Sequence, residues 1–120
     1  MKNIKDKVYE ALCKVSDNVS DSYPTEWAGF PTIQLTEEDN SVIERTNTST
    51  EEKAKVRYRI DIWHNRSTSQ AALDVDREIA ALGLIRTACM DAPEPGILKH
   101  KVMRYEGIIC MDSDDILWNL

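Results

Sequence analysis

The chain has 120 residues, of which 42% are hydrophobic and 30% are charged. This length and composition predict one globular domain over residues 1–120 and exclude a disordered chain, a collagen-like fibre and a coiled-coil rod. With 15 Lys and Arg against 21 Asp and Glu, the net charge is −6, which disfavours generic binding to nucleic acid or to an anionic membrane. The sequence has no apolar run long enough to span a bilayer and no secretory signal, so we expect a cytoplasmic protein.

The first predicted element is an amphipathic helix. Apolar residues from Ile4 to Val19 recur at steps of three and four, which predicts a helix over about residues 3–20. Pro24 disfavours helical angles at the residue before it, so the aromatic segment that follows is predicted to be a structured loop.

An acidic segment follows a short predicted strand. Residues 32–36 alternate apolar with polar side chains, which predicts the strand. Residues 37–52 are then rich in acidic and hydroxyl side chains, which predicts a mobile loop or the tip of a long hairpin. The acidic members are Glu37, Glu38, Asp39, Glu44, Glu51 and Glu52. Such a charge run is typical of a solvated loop, and it is also a candidate interaction surface.

The clearest pattern in the chain is a strict alternation over residues 54–63. It predicts a strand with one face in the core and the opposite face exposed. The face predicted to be exposed carries Arg57, Arg59 and Trp63, and Arg and Trp are residue types favoured at the centres of interfaces. Trp63 has a second interpretation, in which it packs beneath a helix or a loop.

The second half of the chain predicts one helix and two strands. The helix covers residues 69–82 and ends at Gly83, and the strands cover residues 84–90 and 98–111. In total the sequence predicts an α+β domain with a four-stranded, mainly antiparallel sheet packed with two helices.

The sequence carries no motif of a nucleotide-binding loop, a zinc protease or a serine hydrolase. The two histidines and three cysteines follow no common zinc spacing, so we expect no metal, no cofactor and no catalytic residue. An odd number of cysteines without a C-x-x-C pair predicts reduced, largely packed thiols. The thiols are those of Cys13, Cys89 and Cys110.

The last nine residues are acidic and end in apolar side chains. Asp112, Asp114 and Asp115 resemble the start of a calcium loop, but the Gly and the downstream Glu of such a loop are missing, which predicts a solvated acidic turn. Trp118 either caps the core or docks on a neighbouring subunit.

Several segments together have the order and spacing of one protein family. They are YPTEW at residues 23–27 with Phe30 and Pro31, VRYRIDIW at 56–63, the predicted helix 69–82 with Gly83, Arg86 with Thr87, and KVMRYEG at 101–107. Over nearly the whole chain, these segments resemble the small tail-terminator proteins of long-tailed bacteriophages and prophages, also called tail-completion or head-to-tail joining proteins.

This resemblance implies a compact α+β subunit that is not an enzyme. Such subunits assemble as a ring, commonly a hexamer, on the head-proximal end of the tail tube. The ring stops tube polymerisation and presents a surface to a head-completion protein of the neck. The resemblance thus implies a virion protein of the tail and neck, assembled in the host cytoplasm. Its partners would be the tail-tube protein, a neck protein and further copies of itself.

Two hypotheses connect the candidate residues with a ring. In the first, the acidic segment 37–52 faces the lumen, where like charge lets DNA pass without specific binding. In the second, Arg57, Arg59 and Trp63 contact a neighbouring subunit or the tail tube. Two alternatives stay open. One is another neck connector such as a head-completion protein, and the other is a small cytoplasmic enzyme or ligand-binding domain with a cleft at His100 and Cys89.

Overall fold

The computed structural model describes residues 3–45, 51–110 and 116–117, without the side chains of residues 44, 45, 51, 52 and 117. Within these ranges the chain forms two helices and six strands. In chain order they are α1 (Lys5–Cys13), β1 (Asn18–Ser20), β2 (Thr32–Arg45), β3 (Glu51–His64), α2 (Ser69–Ala80), β4 (Ile85–Ala92), β5 (Lys99–Cys110) and β6 (Ile116–Leu117). The predicted α+β class with two helices is confirmed.

The sheet is mixed and has more strands than predicted. Its order is β1-β2-β3-β5-β4, and β6 pairs with β5. The four long strands are antiparallel, as predicted, whereas β1 runs parallel to β2. Sequence reasoning missed β1 and β6 because two or three residues are too few to display an alternating pattern.

The first helix is shorter than predicted, because α1 ends at Cys13 and residues 18–20 form β1. The Ser16 hydroxyl donates to the Pro31 carbonyl, and the Asn18 backbone N–H donates to Ser16 Oγ at 3.0 Å. These local bonds offer the backbone a partner other than the next helical turn. Val15 and Val19 still pack against the core, although they lie beyond the end of the helix. Their spacing therefore matched a helical pattern without being part of a helix.

The predicted acidic loop is largely a hairpin. Strands β2 and β3 each have 14 residues, and their pairing runs from Thr32↔Trp63 to Arg45↔Glu51 with bulges on the way. A long hairpin is therefore present, but residues 37–45 and 51–52, predicted as a loop or as the hairpin tip, belong to its paired strands. The tip itself, residues 46–50, lies outside the described residues. The hairpin contributes to an elongated molecule of 54 × 24 × 24 Å.

Both helices pack on the same face of the sheet. Val8 and Leu12 of α1 and Val75 and Ile79 of α2 are fully buried there. The sheet meets them with the predicted alternating side chains of β3 and with side chains of β2 and β5, namely Ile33, Leu35, Val56, Tyr58, Ile60, Ile62, Met103, Tyr105 and Ile109. Burial of apolar side chains drives this packing. Because both helices lie on this one face, neither of them covers the opposite face of the sheet.

The second helix ends two residues before the predicted end. α2 ends at Ala80, a turn follows, and Gly83 has φ +100°, a left-handed conformation that residues with side chains rarely adopt. A Cβ at Gly83 would also lie 3.3 Å from the Ile116 Cβ. The last two predicted strands are found with shifted ends, at Ile85–Ala92 and Lys99–Cys110.

In the described part of the chain, neither helix has the length and apolar character needed to cross a membrane.

Candidate interaction surface

The uncovered side of the sheet, which we call the open face, carries most of the polar side chains of the long strands. Alternation along the strands and their register place on it Gln34, Thr36 and Glu38 of β2, Arg57, Arg59, Asp61 and Trp63 of β3, and His100, Val102 and Arg104 of β5. The sequence predicted this face from β3 alone. The structure adds the residues that lie beside it on the neighbouring strands.

The centre of the open face is an ion-pair network. Arg59 and Arg104 lie directly opposite each other in the register, where two like charges are unfavourable. Glu38 Oε1 lies 3.0 Å from Arg104 Nε and compensates the positive charge of that side chain. The same oxygen lies 3.3 Å from Arg57 Nε. Glu38 reaches them from a bulge in β2, which changes the direction of its side chain. The network therefore holds the bulged strand against its neighbours.

Asp61 is the buried anchor of this network, with only 4% of its surface exposed. Arg59 forms a two-pronged pair with it, Nε to Oδ1 at 2.9 Å and Nη2 to Oδ2 at 3.0 Å. The hydrogen bonds to Asp61 raise the pKa of the Arg59 guanidinium, against the opposing effect of burial. A planar guanidinium can donate two parallel hydrogen bonds to a carboxylate, so the negative charge of Asp61 is compensated although the side chain is buried.

His100 links Asp61 to the turn between β4 and β5. Its Nε2 lies 2.8 Å from Asp61 Oδ2, and its Nδ1 lies 3.2 Å from Glu94 Oε2. The imidazole also stacks on Trp63, with ring centroids 4.4 Å apart and planes 17° apart. One side chain thus joins β3, β5 and the turn at this end of the sheet.

A loop covers Trp63. Tyr23 and Trp27 lie edge to face against it, with centroids 5.8 and 5.6 Å from the Trp63 ring. Together with His100 these residues form what we call the aromatic cluster. Trp63 is only 2% exposed, whereas Tyr23 above it is 61% exposed. Of the two interpretations of Trp63, packing beneath a loop is right, and the exposure predicted for its side chain is wrong.

The buried indole N–H of Trp63 has no hydrogen-bond acceptor among the described residues. The rings of Tyr23 and Trp27 meet the Trp63 ring edge to face, which is a favourable arrangement for pairs of aromatic rings. Tyr23 is therefore the member of the cluster that faces solvent, whereas Trp63 is buried and contributes to packing.

The predicted acidic residues do not form one surface. The Glu37 carboxylate accepts a hydrogen bond from the Asn3 amide at 3.2 Å, near the start of α1, whereas Glu38 belongs to the ion-pair network of the open face. Asp39 accepts a hydrogen bond from the Ser41 hydroxyl at 2.9 Å. A strand turns successive side chains to opposite faces, which separates neighbours in an acidic run. The side chains of Glu44, Glu51 and Glu52 lie outside the described residues, as do Asp112, Asp114, Asp115 and Trp118.

The candidate residues Arg57 and Arg59 lie on the open face as predicted and are partly exposed. Their side chains are 41% and 36% exposed, so each retains accessible surface beyond its ion pair. Arg59 also borders a cavity of about 340 Å³ at the aromatic cluster, whose lining includes Tyr23, Asp61, Glu94 and His100.

The alternative cleft at His100 and Cys89 is not formed. His100 lies on the open face, but Cys89 is opposite Met103 in the register, whose side chain belongs to the core on the other face. Cys89 and Cys13 are exposed and Cys110 is half-buried, so the prediction of packed thiols is wrong for two of the three. Cys89 is exposed because β4 is an edge strand. The described residues contain no group of three or more His, Cys, Asp and Glu arranged to hold a metal ion.

Exposed apolar side chains lie toward the other end of the open face. Ile43 of β2 and Ile85 of β4 are 37% and 39% exposed, and both line a cavity of about 440 Å³ with Ile108. Met90 of β4 is 50% exposed but lies apart from them, opposite Val102 and nearer the aromatic cluster. Sequence reasoning missed this patch because isolated apolar residues in strands do not reveal whether a strand is central or at an edge.

Compared with protein-family models and with curated proteins, the chain matches none.

Sequence reasoning missed the partners of Asp61. The one available signal was the position of Asp61, a carboxylate between Ile60 and Ile62 in the most regular strand. A carboxylate near such a core requires a partner. Nothing local indicated that the partner would be His100, which lies 39 residues further along the chain.

Proposed function

We propose that this protein is a structural subunit that assembles as a ring on the head-proximal end of a phage tail tube. There it ends tube polymerisation and joins the tail to the head. The observation that carries the proposal is the open face, a partly charged and partly apolar sheet surface that the protein's own helices leave uncovered. The order and spacing of the segments that resemble tail-terminator proteins supply the second support.

The two sheet edges support a ring for a geometric reason. A ring needs two different, mutually fitting surfaces on each subunit, because every contact joins the front of one copy to the back of the next. One edge of the sheet is β4. The other is β2, which β1 covers over only Thr32, Ile33 and Gln34. Both edges thus offer backbone groups and side chains to neighbours.

The apolar patch adds an energetic argument. Ile43 and Ile85 are large apolar side chains left in water, and their burial between subunits would favour association. Arg57 and Arg59 contribute polar contacts at the same face, which suits an interface with an apolar centre and a charged rim.

The acidic charge fits passage of DNA through the ring. With a net charge of −6 the subunit repels phosphate backbones at long range, so a lumen of this protein would let DNA slide without specific binding. We propose that the hairpin β2–β3 contributes to that lumen. A ring structure with this hairpin on the outer rim would overturn the lumen assignment and leave the ring itself intact.

The decisive experiment is electron microscopy with mass measurement on the purified protein, alone and with tail tubes from the same phage or prophage. We expect rings of uniform size, and rings bound at one end of the tubes. A monomer that neither forms rings nor caps tubes would contradict the proposal. Binding to portal-bearing heads and not to tubes would instead identify a head-completion protein, the alternative neck function.

A further inference from the structure

The turn between β4 and β5 is fastened to the open face through one imidazole. His100 Nδ1 lies 3.2 Å from Glu94 Oε2 in the turn, and His100 Nε2 lies 2.8 Å from Asp61 Oδ2 on β3. Each ring nitrogen thus has a carboxylate oxygen of its own at hydrogen-bond distance. The His100 side chain is only 10% exposed, so these contacts are largely removed from water.

The two contacts set a requirement on the protons of the ring. An ionised carboxylate only accepts hydrogen bonds, so a ring nitrogen must carry a proton in order to bind one. A neutral imidazole carries one proton and can satisfy one carboxylate, whereas an imidazolium carries two and can satisfy both. The arrangement of His100 between Asp61 and Glu94 therefore matches the protonated ring.

The surroundings compensate a positive charge on His100. The side chains of Arg59, Asp61, His100 and Glu94 follow one another in contact, and with a protonated ring their charges alternate in sign and balance. Trp63 stacks on the imidazole at 4.4 Å, and the electron-rich face of an indole attracts a cation. Burial disfavours a charge, and these neighbours supply the compensation that a buried charge requires.

Imidazole is the side chain that ordinarily changes its charge between about pH 5 and 8. Of the other carboxylates beside His100, Glu38 is paired with Arg104 at 3.0 Å and Asp91 with Lys101 at 2.9 Å. The remaining titratable and charged groups that line the cavities on the two sides of His100 are Tyr23, Arg66, Lys99 and Lys101.

The contact between His100 and Glu94 lies where two cavities meet. Both residues line the cavity of about 340 Å³ at the aromatic cluster, and both also line a cavity of about 550 Å³ beside the start of α2. Glu94 stands between Pro93 and Pro95, which restrict the backbone of the turn. Loss of the contact would therefore release a stiff turn and remove part of the wall between the cavities.

We propose that His100 is a pH-sensitive switch for this turn. With both ring nitrogens protonated, it binds Asp61 and Glu94 together and holds the turn against the open face. When the Nδ1 proton passes to water, the bond to Glu94 is lost, while Nε2 keeps the shorter bond to the more buried Asp61. The contact with Glu94 is thus present at the lower pH and lost as the pH rises, since the protonated ring has more partners in the fold.

The test is NMR spectroscopy of the full chain between about pH 5 and 8. Ring ¹⁵N shifts report the protons of His100, and backbone order parameters report the turn at Glu94, Gly96 and Ile97. We expect the order parameters to fall from about 0.85 toward about 0.6, the value that marks flexible backbone, as His100 loses its second proton.

Two variants of the same size isolate the carboxylate. In E94Q the amide can donate or accept, so the contact persists with either form of the ring and the order of the turn should no longer depend on pH. E10Q removes the same charge from an exposed position on α1 and should retain the pH dependence of the natural protein.

The second histidine supplies a further control. His64 Nδ1 accepts a hydrogen bond from the Arg66 backbone N–H at 3.0 Å, which requires a nitrogen without a proton. H64Q removes this imidazole and should leave the response of the turn unchanged. Three results would overturn the switch: a turn of constant order while His100 titrates, a His100 ring with a single proton throughout the range, or an E94Q turn that follows pH as E10Q does.

Discussion

Trp63 and His100 are directly opposite each other on β3 and β5, and their rings stack at 4.4 Å. This pair connects the two halves of the open face, because Trp63 supports the loop with Tyr23 and Trp27 while His100 holds Asp61 and Glu94. The candidate surface is thus built on a cross-strand contact, and its shape depends on these two residues.

The contribution of His100 can be divided between stacking and hydrogen bonding. H100A removes both and leaves the buried Asp61 with one partner fewer, so we expect a loss of about 2–3 kcal/mol in the free energy of unfolding. H100F retains a ring and should lose about half of that. Urea denaturation measures both variants, and H100F with the stability of the natural protein would show that the carboxylate contacts contribute nothing.

Trp63 should contribute more to stability than the residue that covers it. We expect W63A to destabilise the protein by about 3–5 kcal/mol, as for other buried aromatic residues. Y23A, which truncates a side chain that is 61% exposed, should cost less than about 1.5 kcal/mol. Thermal or urea denaturation gives the comparison. Equal effects of the two variants would argue against Trp63 as the buried member of the cluster.

Arg57 offers the sharper test of the interaction surface. The double change R57E/R59E would also place a new carboxylate beside Asp61, so a loss of ring formation could come from a damaged fold. R57E alone lies at a side chain that is 41% exposed, and we expect it to reduce ring formation or tube capping. Because it also replaces the contact with Glu38 by two like charges, we expect a fall in Tm of a few degrees with the fold retained.

The matched control for R57E is K7E, which reverses one charge on the exposed face of α1. Mass measurement and electron microscopy are the readouts, and circular dichroism checks the fold. If R57E assembles and caps tubes as well as K7E does, Arg57 has no role at an interface.

Three glycines separate backbone strain from crowding. G83A combines φ +100° with a Cβ placed 3.3 Å from Ile116, whereas G96A has φ +80° and open space around the new Cβ. We expect G96A to cost about 1 kcal/mol and G83A more, about 2 kcal/mol. G29A, whose Cβ would lie 3.6 Å from Asn18, should change stability little. The order of the three unfolding free energies checks the prediction, and G83A equal to G96A would remove any role for Ile116.

Glu106 should make the stability of the protein depend on pH in the acidic range. Burial by itself would raise its pKa, but hydrogen bonds from Lys55 and Thr87, with the charges of Lys55 and Arg57, outweigh that effect and lower it. A carboxyl whose pKa is lower in the folded state stabilises the protein above its unfolded pKa, about 4.3, and loses this contribution as the pH falls through the folded value. The Tm difference between the natural protein and E106Q should therefore shrink between pH 6 and about pH 3. A constant difference would contradict the ion pair with Lys55.

The strands and the second helix were predictable where local periodicity is strong. The alternation over residues 54–63 placed Tyr58 and Ile60 in the core and Arg57 and Arg59 on the other side, and the structure agrees. The same reasoning failed where a pattern was short or shared by two structures. Val15 and Val19 continue the helical spacing of α1 after the helix has ended, because apolar residues of a turn and of β1 can reach the same core.

The sequence by itself determined the α+β class, the apolar face of β3 and the end of α2, because side-chain periodicity and glycine conformation act over neighbouring residues. Only the tertiary structure decided that a loop buries Trp63 and that Asp61 is held by His100, 39 residues away. It also decided that the neighbouring acidic residues Glu37 and Glu38 lie on opposite faces of a hairpin strand. These relationships arise from strand order and register, which join distant parts of the chain and leave no trace in the local pattern.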